Sequence, residues 1–161
     1  MMKKLFVLLV IGLFVFAAGH AMAGNTAQQT VSFQITAINE IAVSGNPGQL
    51  VVNASSAGED PDPATDNTTS YSVTTNGDLK KVVGKIDSAM PSNTKLEVEL
   101  AAPTGGSSAG YVELGELDQN LVTGISKLSE SGKTITYKFS AQAEAGTLSG
   151  QRTVTFTLTD G

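Results

Sequence analysis

The chain contains no cysteine and no tryptophan, and only one histidine and five prolines in 161 residues. The missing thiols together exclude disulfide scaffolds, cysteine-ligated zinc, iron–sulfur clusters and thiol catalysis. Charge is sparse, at 16% of residues, and leans acidic, with 10 basic against 15 acidic groups. A net charge of −5 leaves no basic stripe for phosphates, so nucleic acid is not an expected partner. Hydrophobic residues reach 40%, too many for a disordered polyelectrolyte and too few for a multi-span membrane protein.

What is present begins with a leader. Lys3 and Lys4 precede the apolar run Leu5 to Ala18, broken only by Gly12, and Ala21-Met22-Ala23 then offers the small-x-small pattern of a signal-peptidase site. The uncharged stretch approaches the roughly 20 residues of a spanning helix, but the Gly19-His20 break and the Ala-x-Ala site favour cleavage. Residues 1–23 are predicted to be a signal peptide and 24–161 one domain. The product is expected to be secreted, extracellular or periplasmic, or held at the cell surface, with no stable membrane insertion. Removing 23 residues from 161 leaves 138, and losing Lys3 and Lys4 takes the net charge from −5 to −7. His20 leaves too, so the mature chain has no imidazole for acid–base work.

The mature chain alternates with period two almost throughout. Val31, Phe33, Ile35, Ala37, Ile41 and Val43 hold one phase over 13 residues. Leu50 and Val52 follow, then Tyr71 and Val73, then Val82 to Ile86. Leu96, Val98 and Leu100 alternate with Lys95, Glu97 and Glu99, and Val112 and Leu114 come next. Ile135, Tyr137 and Phe139 precede the last run, Val154, Phe156 and Leu158, set among threonines. Such alternation, rich in Val, Ile, Thr and Phe, specifies half-buried antiparallel strands. Turn-formers separate the runs, among them Gly45-Asn46-Pro47-Gly48, Asn76-Gly77-Asp78, Pro103 to Gly106, Ser131-Gly132 and Ser149-Gly150. Only Leu117 to Leu128 could hold a helical turn. The expected fold is all-β, a single antiparallel β-sandwich of seven to nine strands, immunoglobulin-like or pilin-like. Its cored phenylalanines would be Phe33, Phe139 and Phe156.

Several motifs resemble chemistry without its supporting parts. Gly106-Ser107-Ser108-Ala109-Gly110 matches a nucleophile elbow, which needs a following helix and a histidine base. Ser131-Gly132-Lys133-Thr134 resembles the end of a phosphate-binding loop but lacks the upstream glycine, and reads as a hairpin turn. Ser92-x-x-Lys95 spans a turn entering a strand, where that spacing cannot form a Ser/Lys dyad. Glu97 and Glu99 share an outward strand face in water, not the apolar cleft that a glycosidase's acid needs. No catalytic residue is expected, and no cofactor. The acidic segment Gly58 to Asn67 offers Asp60, Asp62 and Asp66 as calcium candidates among oxygen donors, although it is also what a solvated loop looks like. Tyr111 is the one tyrosine out of phase with the core, a thin platform for a sugar ring.

A leader, about 140 residues of Thr-rich alternating strands, the small-residue loop Ala101-Ala102-Pro103-Thr104-Gly105-Gly106 and a strand at the C-terminus together resemble small secreted bacterial pilin-like or adhesin-like β-sandwich proteins. The resemblance is compositional. It lacks the disulfide of chaperone-assembled fimbrial subunits, and Gly24 to Thr30 lacks a donor strand's alternating apolar residues. It implies a non-catalytic structural or interaction protein of the cell surface or matrix, a fibre subunit that assembles by strand exchange. Val31, Phe33 and Ile35 would be the exchanged residues, because their segment has no Lys or Pro to blunt pairing and lies next to the new N-terminus. The expected partners are further copies of the chain, with other surface proteins or glycans beside them. The alternative is an extracellular carbohydrate- or calcium-binding β-sandwich module.

Overall fold

Alternation of small and β-branched residues directs this chain into strands, and the computed structural model, which describes residues 25–161, contains nine. They are β1 (Asn39–Val43), β2 (Ala64–Thr75), β3 (Lys80–Ile86), β4 (Thr94–Leu100), β5 (Ser107–Ser108), β6 (Val112–Glu113), β7 (Gln119–Ile125), β8 (Leu128–Ala141) and β9 (Val154–Asp160). One sheet has the order β1-β2-β8-β4-β6 and the other β5-β7-β3-β9. Every pairing is antiparallel. Among the described residues, one 3-10 turn at Ala143–Ala145 is the only helical element. The expected signal peptide lies outside the described residues. Asn25 to Gln34 form a stretch separate from the body, which comprises Ile35–Gly161.

Both sheets feed one core. Tyr71 and Val73 of β2 and Leu96, Val98 and Leu100 of β4 point inward, as the alternation predicts. From the second sheet come Val82 and Ile86 of β3 with Leu121 and Ile125 of β7. Glycine matters at one core position: a Cβ on Gly84 would lie 2.6 Å from Leu121 Cδ1, so its absence lets Leu121 and Phe156 close over β3. Burial pushes the Tyr71 hydroxyl up to about 12, and that group donates to the Ala101 carbonyl at 2.7 Å.

The β2–β8 ladder is long and carries two bulges that offset each other. Between Asp66 and Thr69 the extra residue is on β2; between Tyr71 and Val73 it is on β8. Gly132, with φ 68°, supplies the left-handed residue of the second bulge. Ser131-Gly132 is therefore a kink inside one strand and not the hairpin turn the sequence suggested. The two shifts cancel, so the pairing register at Ala64 to Asp66 is the same as at Val73 to Thr75.

Other expectations need correction. The 13-residue alternating run Val31 to Val43 is a strand only over its last five residues, because pairing with β2 begins only at Asn39↔Thr75. Phe33 is 93% exposed and lies before that point, so it is no core residue. Leu50 and Val52 are half-buried but lie in no strand. Leu117 to Leu128 holds no helical turn, since Leu121, Val122 and Ile125 are drawn into β7 by burial against β3. Phe139 and Phe156 are only half-buried, which lowers the value of truncating either.

These placements give a direct comparison. Leu100→Ala should cost about 2–5 kcal/mol, since Leu100 is wholly buried. Phe33→Ala in the isolated chain should change stability by less than about 0.5 kcal/mol. Urea melts of the two variants check this, and equal losses would return Phe33 to the core.

Candidate functional site

The core is not closed on every side. Between the segment from Val43 to Ser55 and the segment from Gln142 to Phe156 lies a cleft of about 1140 Å³. Its floor is apolar: Leu96, Ile135, Tyr137 and Phe139 from the first sheet, Phe156 from β9, and Met90 from the loop after β3. The chain from Gln49 to Asn53 runs along one rim without secondary structure. Among the described residues its backbone groups make no hydrogen bond. The other rim leads into β9, which among the described residues forms a ladder with β3 alone, while β1 runs close beside part of it without pairing. That edge strand, Val154–Asp160, has no Lys and no Pro, two of the devices that usually blunt pairing.

Short side chains hold the rims. Asp66 accepts from the Thr68 hydroxyl at 2.8 Å and the Thr68 amide at 3.1 Å, which builds the β2 bulge. Its other oxygen accepts from the Gly48 amide at 3.3 Å, fixing the first rim to β2. The Thr68 hydroxyl and then the Thr68 amide hold this carboxyl below its ordinary value of 3.8, with the Gly48 amide adding less. Asp60 accepts from the Ala143 amide at 3.1 Å. On the second rim, Arg152 donates to the Ala89 carbonyl at 3.1 and 2.6 Å and to the Gln151 carbonyl at 2.8 Å. Arg152 is the only charged residue lining the cleft, and its guanidinium is engaged at the rim. The cleft thus has an uncharged, apolar floor and polar rims, with Arg152 on one rim and unpaired backbone along the other.

The sequence-derived exchange residues are equally unpaired. Val31, Phe33 and Ile35 are 75%, 93% and 80% exposed, and none lies in a strand. From Asn25 to Ile38 there is no charged residue. The chain is held where it enters β1: Asn76 Nδ2 donates to the Thr36 carbonyl at 2.7 Å, and Asn76 Oδ1 accepts from the Ile38 amide at 2.8 Å. This root is beside Thr75 and Leu128, at one end of the β2–β8 ladder. Phe139 and Ala141 on the cleft side lie at its other end, where Ala64 pairs with Phe139.

The other candidates are absorbed by the scaffold. Asp60, Asp62 and Asp66 do not converge: among the described residues no group of three or more His, Cys, Asp or Glu could hold a metal ion. Asp62 uses its amide to reach the Ala54 carbonyl at 2.8 Å. Ser107 and Ser108 form β5, and the Ser108 hydroxyl accepts from the Gly110 amide at 3.1 Å. Lys95 pairs with Glu113 at 3.6 Å and Glu97 with Lys138 at 3.0 Å on the outer face of the first sheet. The Lys138 ammonium also lies 5.3 Å from the centre of the Tyr111 ring, which occupies the face a sugar would need. Lys133 pairs with Glu130, whose carboxyl is pulled down to about 2 by hydrogen bonds from Lys133 and Thr104. Among the described residues, no helix is long and apolar enough to cross a membrane.

Comparison with known proteins finds no match to any family model, curated protein or solved structure.

Two outcomes follow for the acidic segment. Asp66 is held low in the folded state, so its stabilisation is complete above 3.8 and is lost as pH falls below that value. Asp66→Asn should therefore flatten the fall of melting temperature on acidification, and an unchanged acid limb would show that the bulge does not depend on the carboxylate. Millimolar calcium should leave the melting temperature unchanged. Saturable one-to-one binding in calorimetry, abolished by Asp62→Ala, would establish a calcium site instead.

Proposed function

We propose that the chain is an exported, non-catalytic structural and interaction protein of the cell surface or matrix. Its fold is a β-sandwich of the immunoglobulin-like, pilin-like kind, and its copies join into fibres by exchanging strands. The observation that carries this reading is the exposure of Val31, Phe33 and Ile35 on an unpaired, uncharged segment outside any strand. Burying each such side chain is worth about 1.5–3 kcal/mol. An apolar alternation of this kind left in water is a binding surface or an aggregation liability. A segment that ends at the N-terminus created by leader removal can join a neighbour's sheet without opening a loop. Backbone hydrogen bonds then give strength and alternate side chains give specificity.

The placement of the root favours an open chain of subunits. Thr36 to Ile38 are clamped by Asn76 at one end of the β2–β8 ladder, and the free backbone near Phe139 lies at the other. A contact between unlike ends of two copies is heterologous, and repeats of it form filaments unless the rotation happens to close a ring. Support for the non-catalytic part comes from the placement of the candidate motifs on outer faces and bulges, where their polar atoms serve the scaffold.

Deleting residues 24–35 behind an intact leader should give a soluble subunit that no longer polymerises. A synthetic peptide of those residues should raise its melting temperature. Size-exclusion chromatography and electron microscopy of the exported product check both. Filaments that persist after the deletion, or a full-length product that stays monomeric at high concentration, would remove the strand-exchange reading.

A further inference from the structure

Resting on that reading, we infer the acceptor: the trough beside the edge of β9 receives residues 31–35 of a second copy. Val31, Phe33 and Ile35 then face its floor, and the inserted backbone pairs with β9.

The cleft is defined by two unmet needs of different kinds. Its floor is hydrophobic and only partly covered, since Phe139, Phe156, Leu50 and Met90 are all half-buried. Its rims carry main-chain donors and acceptors without partners, along Gln49 to Asn53 and along the outer edge of β9. A lipid or other oily ligand would meet the first need and leave the second, because it has no regularly spaced row of N–H and C=O groups to offer a strand edge. A β-strand meets both at once: one face of alternating side chains fills the trough while the backbone satisfies the rim. The occupant must also be neutral, since a charge placed on this floor would lose its water without gaining a partner. The segment from Asn25 to Ile38 is uncharged, exposed and outside any strand, and as a strand it would carry Ser32 and Gln34 on the face opposite Val31, Phe33 and Ile35.

The occupant is a second copy because root and trough lie toward different ends of the same ladder. One subunit therefore offers a segment at one end and, toward the other, the trough with the Val154 to Phe156 part of β9, which is the polarity a head-to-tail chain needs. Inserted in this way, Ser32 and Gln34 emerge on the same outer face as Thr155 and Thr157 of β9, both exposed. Directly opposed residues of neighbouring antiparallel strands have Cβ atoms about 4.5–5.5 Å apart, close enough for engineered cysteines to be oxidised to a disulfide.

The cysteine-free sequence makes this test clean. Copies carrying Ser32→Cys or Gln34→Cys are mixed with copies carrying Thr155→Cys or Thr157→Cys, using the full chain processed by its host. The mixture is oxidised and the linked peptides are identified by mass spectrometry. Thr136→Cys, on the outer face of the first sheet, serves as the control. The expected result is mixed disulfide dimers between an arm position and a β9 position, with the Thr136 control unlinked. Filaments that form without any arm-to-β9 link would overturn this acceptor and leave strand exchange standing at another site. Links found only within double-cysteine single chains would show that the segment fills its own trough, and would overturn the second-copy occupant. Absence of both filaments and links would remove this inference together with the function on which it rests. A lipid retained in the trough through purification, with the edge of β9 still exchanging its amide hydrogens rapidly, would also overturn it.

Discussion

The unpaired backbone of a sheet edge is the constraint on which this structure turns. Every strand brings two rows of hydrogen-bonding groups, and a sheet satisfies them only by adding a neighbour or by ending in water. Here the first sheet is built outward from the β2–β8 ladder, whose paired bulges keep a core face continuous from Tyr71 to Tyr137. The second sheet is built outward from β3, which pairs with both β7 and β9. One flank of the second sheet ends in the short β5, and the other ends in the seven-residue β9. The short edge exposes little, while the long one lies beside an apolar trough. On the proposed strand exchange, this asymmetry between the two edges is what would give the body a place for another strand.

The side chains around the trough are consistent with a rim held in place before anything enters it. Asp66 spends three hydrogen bonds on its own bulge and on Gly48. Arg152 ties the opposite rim to Ala89, and Asp87 accepts from the Thr153 amide at 3.1 Å. These are exposed interactions of modest individual strength. Their effect is geometric: they fix the separation of two segments that would otherwise collapse over the floor. Preorganisation of this kind lowers the ordering cost of association, which otherwise consumes much of the energy that apolar burial provides.

Much of this architecture was readable in the residues. The phase of Leu96, Val98 and Leu100 against Lys95, Glu97 and Glu99 fixed both faces of β4, because a period of two leaves no choice once one face is apolar. The same logic placed Tyr71, Val73, Ile135 and Tyr137. It failed where alternation was present but no partner strand was. Val31 to Ile38 and Leu50 to Val52 carry the periodicity of strands, yet pairing depends on what lies alongside, and that is a tertiary fact. It also failed at Ser131-Gly132, where a left-handed glycine serves equally for a turn or a bulge. The acidic segment looked like a ligand set because a sequence shows carboxylates but not their hydrogen-bond donors. In the structure, backbone amides engage Asp60 and Asp66 before any cation could. The trough itself has no linear signature, since its floor is drawn from residues scattered between Met90 and Phe156 on three strands and a loop.

The distribution of charge ties the apolar segment to the trough physically. With the leader removed, the subunit would carry a net charge of −7, so copies repel one another at a distance, within the screening length set by salt. The charged residues lie mainly on outward faces such as that of Lys95, Glu97, Glu113 and Lys138. Residues 25–38 and the trough floor are both free of charge. A contact confined to those two surfaces desolvates no ion and breaks no salt bridge, which avoids the largest penalty in burying protein surface. Repulsion between the bodies then opposes indiscriminate clustering, while the one neutral route of approach stays favourable. A subunit built in this way resists side-by-side aggregation through the same sparse acidic charge that leaves its extended segment bare. The segregation of charge away from both surfaces is therefore part of what makes an exposed apolar strand tolerable in a chain with no disulfide to constrain it.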